Sequence, residues 1–241
     1  MDFTPVLHAE WLKIRTLRSA LAVLAAVPLT TVAFSVLAAA DSGGDGPDAA
    51  DPLFTAFFGV SLGQIAAVGF GTAVMAAEFR GGALRVSLAA VPRRGRWFAA
   101  KLTALAVSVL AAGLAGGFTA LAVAGAASRE RDFGTGAGLR AAVVCGLYLT
   151  LMALLAAGLT ALLRSAPAAL GILAPLLLIV SFVVGDLSSG LADLLPDRAG
   201  QVALHSAPYG TLGPWSGLAV TALWTAAVLA PAAHRLCHRD A

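Results

Sequence analysis

Apolar positions in this chain fall into long unbroken runs, not the alternation of barrel strands or the narrow stripes of soluble helices. Six runs stand out, at roughly 20–40, 55–77, 99–127, 139–163, 166–186 and 216–234. Each approaches or exceeds about 20 residues, the length that crosses a hydrocarbon core about 30 Å thick. Backbone groups in lipid must bond within their own segment, so the runs predict helices. The expected fold is an all-α membrane protein: six transmembrane helices in one domain over 1–241. Pro28, Pro167, Pro175 and Pro231 lie inside or at the start of runs and are expected to kink or break them. The first run ends in "VLAAADS", small residues of the kind found at a leader cleavage site. At about 21 residues it exceeds the 7–15 of a leader's apolar region, and it is read as a span.

Ahead of it, "FTPVLHAEWLKIRTLRS" repeats apolar residues at helical spacing: Phe3, Leu7, Trp11 and Ile14. This predicts an amphipathic helix over 1–19 on the membrane surface. Trp11 would sit at headgroup depth, with Lys13, Arg15 and Arg18 toward anionic lipid. Glu10 interrupts the apolar arc, and Lys13, three residues on, is placed to neutralise it.

Composition agrees with the pattern. Hydrophobic residues make up 59% of the chain and charged residues 12%, against about 25% charged in a globular protein, and mean hydropathy is +0.86. The net charge of +3 lacks the basic and aromatic interleaving of nucleic-acid binders, so no nucleic-acid partner is expected. Cys145 lies in an apolar run and Cys237 near the C-terminus, and no disulfide is expected.

The cations are unevenly placed. Of sixteen Lys and Arg, six lie in "EFRGGALRVSLAAVPRRGRWFAAK" (78–101): Arg80, Arg85, Arg93, Arg94, Arg96 and Lys101. With the N-terminus inside, Lys13, Arg15, Arg18, these six, Arg164, Arg235 and Arg239 are cytoplasmic. Arg129, Arg131, Arg140 and Arg198 are outside. The first external loop, "DSGGDGPDAADP", has four Asp and no cation. The positive-inside rule therefore predicts a multi-pass cell-membrane protein with both termini cytoplasmic.

Within the basic loop, Glu78 ends the second run and Gly81-Gly82 permit a sharp reversal. "ALRVSLAAV" reads as a short helix with Leu84, Leu88 and Val91 on one face and Arg85 on another. Pro92 closes it, and Lys101 is expected to snorkel back to the interface. No engine is evident in the chain. Its only lysines, Lys13 and Lys101, do not follow glycine, so there is no phosphate-cradling loop for ATP. No ionisable residue is expected deep in a run, as ion coupling would need. Gln64 is the most polar interior residue, followed by Thr30, Thr31, Ser35, Ser61 and Ser181, while Glu78 and Asp186 sit at run ends.

Three stretches, "AEWLKIRTLRS" (9–19), "AAEFRGGALRVSLAAVPRRGRWFAAKL" (76–102) and "HRDA" (238–241), resemble the permease subunit of type-2 ABC transporters. The likeness is to the small six-span permeases of high-GC bacteria in particular. The resemblance implies an interfacial connecting helix at 9–19. It also implies a coupling helix over 78–92 that docks in a groove of a separate ATPase subunit, which binds ATP and Mg. Glu78, Phe79, Arg80, Gly81, Gly82, Leu84, Arg85, Leu88 and Pro92 would serve that docking. Ala83 stands where the family usually has threonine. The resemblance further implies a second permease, a copy or a relative, around a pathway lined by spans one, two and five. Thr30, Thr31, Ser35, Ser61, Gln64 and Ser181 are candidates to line it. The external loop at 186–215 would be partly re-entrant, dipping in at "LADLL". The expected function is export of an amphipathic or hydrophobic small molecule, antibiotic-like or lipid, with no enzyme activity or cofactor in this chain.

Other readings attach to shorter motifs. "GVSLG" (59–63) matches a serine-hydrolase pattern, with Ser61 as nucleophile and His205 as base of an intramembrane protease. Ser61 is expected within a helix instead of at a strand–turn–helix elbow, which weighs against it. Gly59 and Gly63 also form a small-xxx-small face suited to a subunit contact. His234, Cys237 and His238 form a conceivable metal cluster, although a solvated tail without metal is expected. A membrane scaffold that transports nothing is the third class.

Overall fold

The computed structural model describes residues 3–41, 51–91, 93–127, 135–177, 192–205 and 212–238. Every regular element among them is helical: α1 (Phe3–Thr16), α2 (Arg18–Asp41), α3 (Pro52–Ala56), α4 (Val60–Ala76), α5 (Ala83–Ala90), α6 (Arg94–Ala127), α7 (Thr135–Leu163), α8 (Ala166–Pro175), α9 (Pro196–Val202) and α10 (Pro214–His238). A 3-10 turn, Ala77–Phe79, extends α4, and another, Ala192–Leu194, precedes α9.

Among the described residues, five segments are long and apolar enough to cross a membrane: Arg18–Ala38, Leu53–Phe79, Arg94–Ala126, Gly136–Leu163 and Pro214–His238. Of the run at 166–186 the described part is α8 and a single π turn at 176–177. Ser165 caps α8 by accepting from the Ala168 amide, with proline in its first turn, and Pro175 ends it. Pro167 therefore starts a helix instead of breaking one, because its missing N–H falls where no partner is needed. Pro28 and Pro231 lie inside α2 and α10, which continue through them.

Helix α7 is the central element. It packs against α4, α6, α8, α9 and α10, and 72% of its most apolar window is buried, against 22% for α2. Small residues permit this. A Cβ on Gly71 of α4 would overlap the Ala153 carbonyl of α7, and one on Gly113 of α6 would come within 2.9 Å of the Gly146 Cα. Backbones approach this closely only where side chains are absent. Thr150 and Thr160 donate their hydroxyls to carbonyls four residues back in α7, so they add no orphan donors to an apolar surrounding.

Two expectations change here. The second run is divided: α3, capped by the Asp51 carboxylate, passes through a turn at 57–59 into α4. The break lies where Gly59 meets α2, because a Cβ there would overlap the Thr31 carbonyl. Gly63 faces the Thr31 hydroxyl in the same way, so the small-xxx-small pair joins two helices of one chain. The second change concerns α1. Its buried face is Val6, Glu10 and Ile14, while Leu7 and Trp11 are half-buried and Phe3 is 41% exposed. Glu10 lies at the centre of the packed face; the sequence pattern had made it an interruption.

Substituting Gly71→Val should lower the stability of the detergent-solubilised protein by about 1–3 kcal/mol through overpacking against a backbone. Gly125→Ala, which meets nothing within 4 Å, should leave thermal melting unchanged.

Candidate functional site

Charge has been gathered where four elements meet. Glu10 and Lys13 come from α1, Glu78 from the 3-10 turn after α4, Ser87 from α5, and Trp97 and Lys101 from α6. Glu10, Glu78 and Lys101 are each no more than 3% exposed. Lys101 Nζ donates to Glu78 Oε1 at 2.6 Å and to Glu10 Oε2 at 2.9 Å. Lys13 Nζ donates to Glu10 Oε1 at 2.8 Å, Glu78 Oε1 at 3.1 Å and Ser87 Oγ at 3.0 Å. The Trp97 indole N–H donates to Glu10 Oε1 at 3.2 Å, and Ser87 Oγ donates to Glu78 Oε2 at 3.1 Å. Two cations thus balance two anions, and all four carboxylate oxygens accept at least one hydrogen bond.

This geometry corrects the expectation for Lys101. Helix α6 begins at Arg94, so Lys101 lies two turns inside it. Its stem runs into the protein to meet two carboxylates instead of reaching back to an interface. Lys13 is the outer member, its side chain 40% exposed. Burial disfavours its ammonium, but the hydrogen bond and charge of Glu10, followed by those of Glu78, outweigh this and raise its pKa above the ordinary lysine value.

Helix α5 is mounted on the cluster. Gly81 and Gly82 turn the chain at φ of 59° and 77°, left-handed values that a side chain resists. Leu84 is buried, and Leu88, Val91 and Phe79 pack against the core. Arg80, Arg85, Ala89 and Ala90 are exposed, as is Val86 at 72%. Leu84 and Leu88 thus anchor α5 to its own chain, and the face open to another molecule carries Arg85 and Ala89. Pro92 lies outside the described residues. Arg15 and Arg18 are exposed at the α1–α2 elbow.

The polar residues expected to line a pathway are engaged within the chain. Thr31 is buried and bonds the Val27 carbonyl. Ser35 is buried and accepts from the Gly59 amide at 3.2 Å. Half-buried Thr30 bonds the Ala26 carbonyl. The buried Gln64 Oε1 accepts a short hydrogen bond from the Tyr148 hydroxyl, which in turn accepts from Gln201 Nε2 at 3.4 Å. Ser61 Oγ donates to Gln201 Oε1 at 3.0 Å. Ser181 lies outside the described residues. Gln201 belongs to α9, whose Pro196, Asp197, Ala199, Gly200 and Val202 are buried. Among the described residues of the 186–215 loop, α9 packs into the helix bundle, while Leu194 of "LADLL" is 46% exposed.

The protease arrangement finds no support. The Ser61 hydroxyl serves Gln201, while His205 Nδ1 faces Asp51 Oδ2 at 3.2 Å with its ring stacked on Phe54. His234 and His238 stack at 4.2 Å, and His238 Nδ1 turns to the His234 carbonyl. Among the described residues no three metal-ligating side chains converge.

Ser87, Trp97, Tyr148 and Gln201 were not singled out by sequence reasoning. The one local signal was the spacing of Glu10 and Lys13, three residues apart in α1. Lys101→Met should destabilise by about 3–5 kcal/mol, because it leaves two carboxylates buried with one outer cation. The double variant Glu10→Gln/Lys101→Met should recover much of that loss in a thermal-melting cycle. The raised Lys13 pKa has a definite sign. Its contribution is complete below the ordinary lysine pKa and is lost as pH rises through the raised value. Melting should therefore show no Lys13-dependent change up to about pH 10, and above it wild type should lose stability faster than Lys13→Met. Compared with known proteins, the chain matches no family model, no curated protein and no solved structure.

Proposed function

We infer that this chain is the membrane-spanning permease subunit of an ATP-driven transporter, moved by a separate ATPase that docks on α5. The observation that carries the reading is the mounting of α5. A short helix begins at a two-glycine reversal, turns its leucines inward, and is tied through Ser87 to Lys13 of α1 and to Glu78 of the turn after α4, both of them joined through carboxylates to Lys101 of α6. Its other face presents Arg85 and Ala89 outward. A push on that face is delivered to three helices together, because the contacts behind it are buried and charge-balanced. The asymmetry of basic residues puts this end of the molecule in the cytoplasm, where ATP is hydrolysed. The lack of a phosphate loop in the chain supports a separate motor. An apolar, small-residue interior suits an amphipathic or hydrophobic cargo, and export is the direction the family resemblance favours. The complete assembly would pair this chain with a second permease, a copy or a relative.

The test is a search for an ABC ATPase subunit encoded beside this chain, then co-purification with it and ATP hydrolysis in proteoliposomes. Arg85→Glu and Ala89→Glu should each reduce assembly at least tenfold while melting stays unchanged, since both side chains are exposed. If both variants assemble and hydrolyse ATP as wild type does, the docking assignment is wrong. Leu84→Glu is the wrong probe, because it inserts a charge into the chain's own core.

A further inference from the structure

A cavity of about 510 Å3 opens between the α1–α2 elbow, the last turns of α4 and helix α5. Its apolar wall is made by Ala20 and Val23 of α2 and by Ala73 and Val74 of α4. Lys13, Glu78, Ser87 and Lys101 close its polar end, and Arg80 stands at its side. The size lies within the range of about 300–1,000 Å3 typical of small-molecule sites. Ala73 is exposed, so the apolar part opens to the surroundings of α2 and α4.

Its charges define the occupant. Lys13 and Lys101 are committed to Glu10 and Glu78, so the polar end is neutral and its hydrogen bonds are made. Arg80 differs: it is exposed and forms no ion pair or hydrogen bond among the described residues. The site therefore offers one uncommitted guanidinium beside an apolar slot that leads away from it between two helices fit to span a membrane. A guanidinium pairs in bidentate fashion with a phosphate, and the slot accepts methylene groups in place of water. We propose that this cavity binds one anionic phospholipid, its phosphate on Arg80 and the upper part of one acyl chain against Val23 and Ala73. A cationic amphiphile would meet Arg80 as a like charge. A zwitterionic lipid brings its own cation beside the phosphate and gains less. The site does not depend on the transport reading, since no ATPase or cargo enters the argument.

The experiment is native mass spectrometry of the full chain in detergent, titrated with phosphatidylglycerol, phosphatidylcholine of the same chain length, or inorganic phosphate. Wild type should retain one phosphatidylglycerol about tenfold more strongly than phosphatidylcholine, whose own cation offsets part of the attraction of its phosphate to Arg80. Arg80→Gln should erase that preference and leave weak, equal retention of both lipids. Val23→Trp and Ala73→Trp, which fill the slot from opposite walls, should abolish the single tight lipid; two positions are used so that one misfolded variant does not decide the result. Equal retention of the two lipids by wild type would mean annular lipid only and overturns the proposal. Undiminished phosphatidylglycerol retention in Arg80→Gln, or in a folded tryptophan variant, also overturns it. Inorganic phosphate bound as tightly as phosphatidylglycerol would reveal an anion site without an acyl slot, again against the proposal.

Discussion

Two carboxylates removed from water at the end of an apolar helix bundle require cations within hydrogen-bonding reach, and this requirement organises one end of the molecule. Glu10 and Glu78 belong to elements far apart in the chain, and Lys101 bridges them from a third. None of the three helices can shift alone without stranding a buried charge. The Trp97 indole and the Ser87 hydroxyl complete the shell, so the network is neutral and satisfied. Such networks contribute less net stability than their bonds suggest, because desolvation offsets much of the attraction. Their effect is to specify one arrangement and penalise the partial ones.

At the other end a second polar network forms, built mainly from uncharged side chains beside the buried Asp197 of α9. Gln64, Tyr148, Gln201 and Ser61 link α4, α7 and the inserted helix α9. Helix α9 is too short to bury itself by its own apolar face. It is held by these hydrogen bonds and by close backbone contact, since a Cβ on Gly217 would overlap the Ala199 carbonyl. The Thr221 hydroxyl of α10 also bonds the Pro196 carbonyl at 2.9 Å. Between the two polar ends, α7 is packed on most sides through alanine and glycine, whereas α2 leaves Leu29 and Leu37 68% and 62% exposed. Those side chains suit lipid or a second subunit, both compatible with the proposed permease.

The proposed docking helix and the proposed lipid cavity share one boundary. Helix α5 turns its leucines inward, sets Arg85 and Ala89 outward, and forms one wall of the cavity with Ala83 and Val86. A lipid held there would lie behind the helix on which the proposed ATPase would push. The neutral charge cluster stands behind both, so force on α5 and occupancy of the cavity act on the same four elements.

The one-dimensional pattern was enough for the helical class, for five of the six expected runs as helices long and apolar enough to cross a membrane among the described residues, and for the short helix after Gly81-Gly82. Each of these depends on local properties: run length, backbone freedom at glycine, and the need of a chain in lipid to satisfy its own hydrogen bonds. Which face of a helix is buried is not a local property. In α1 the apolar stripe through Phe3 suggested one answer, and packing on α6 chose the face through Glu10, because Lys101 was there to receive it. For the same reason Lys101 looked like a snorkelling residue until Glu10 and Glu78 were placed beside it. Likewise, nothing in the sequence showed that Gln64 and Ser61 bond Tyr148 and Gln201. The chain alone determined what must be helical and apolar; only the tertiary structure decided where each polar group finds its partner, since partners distant in sequence leave no periodic trace.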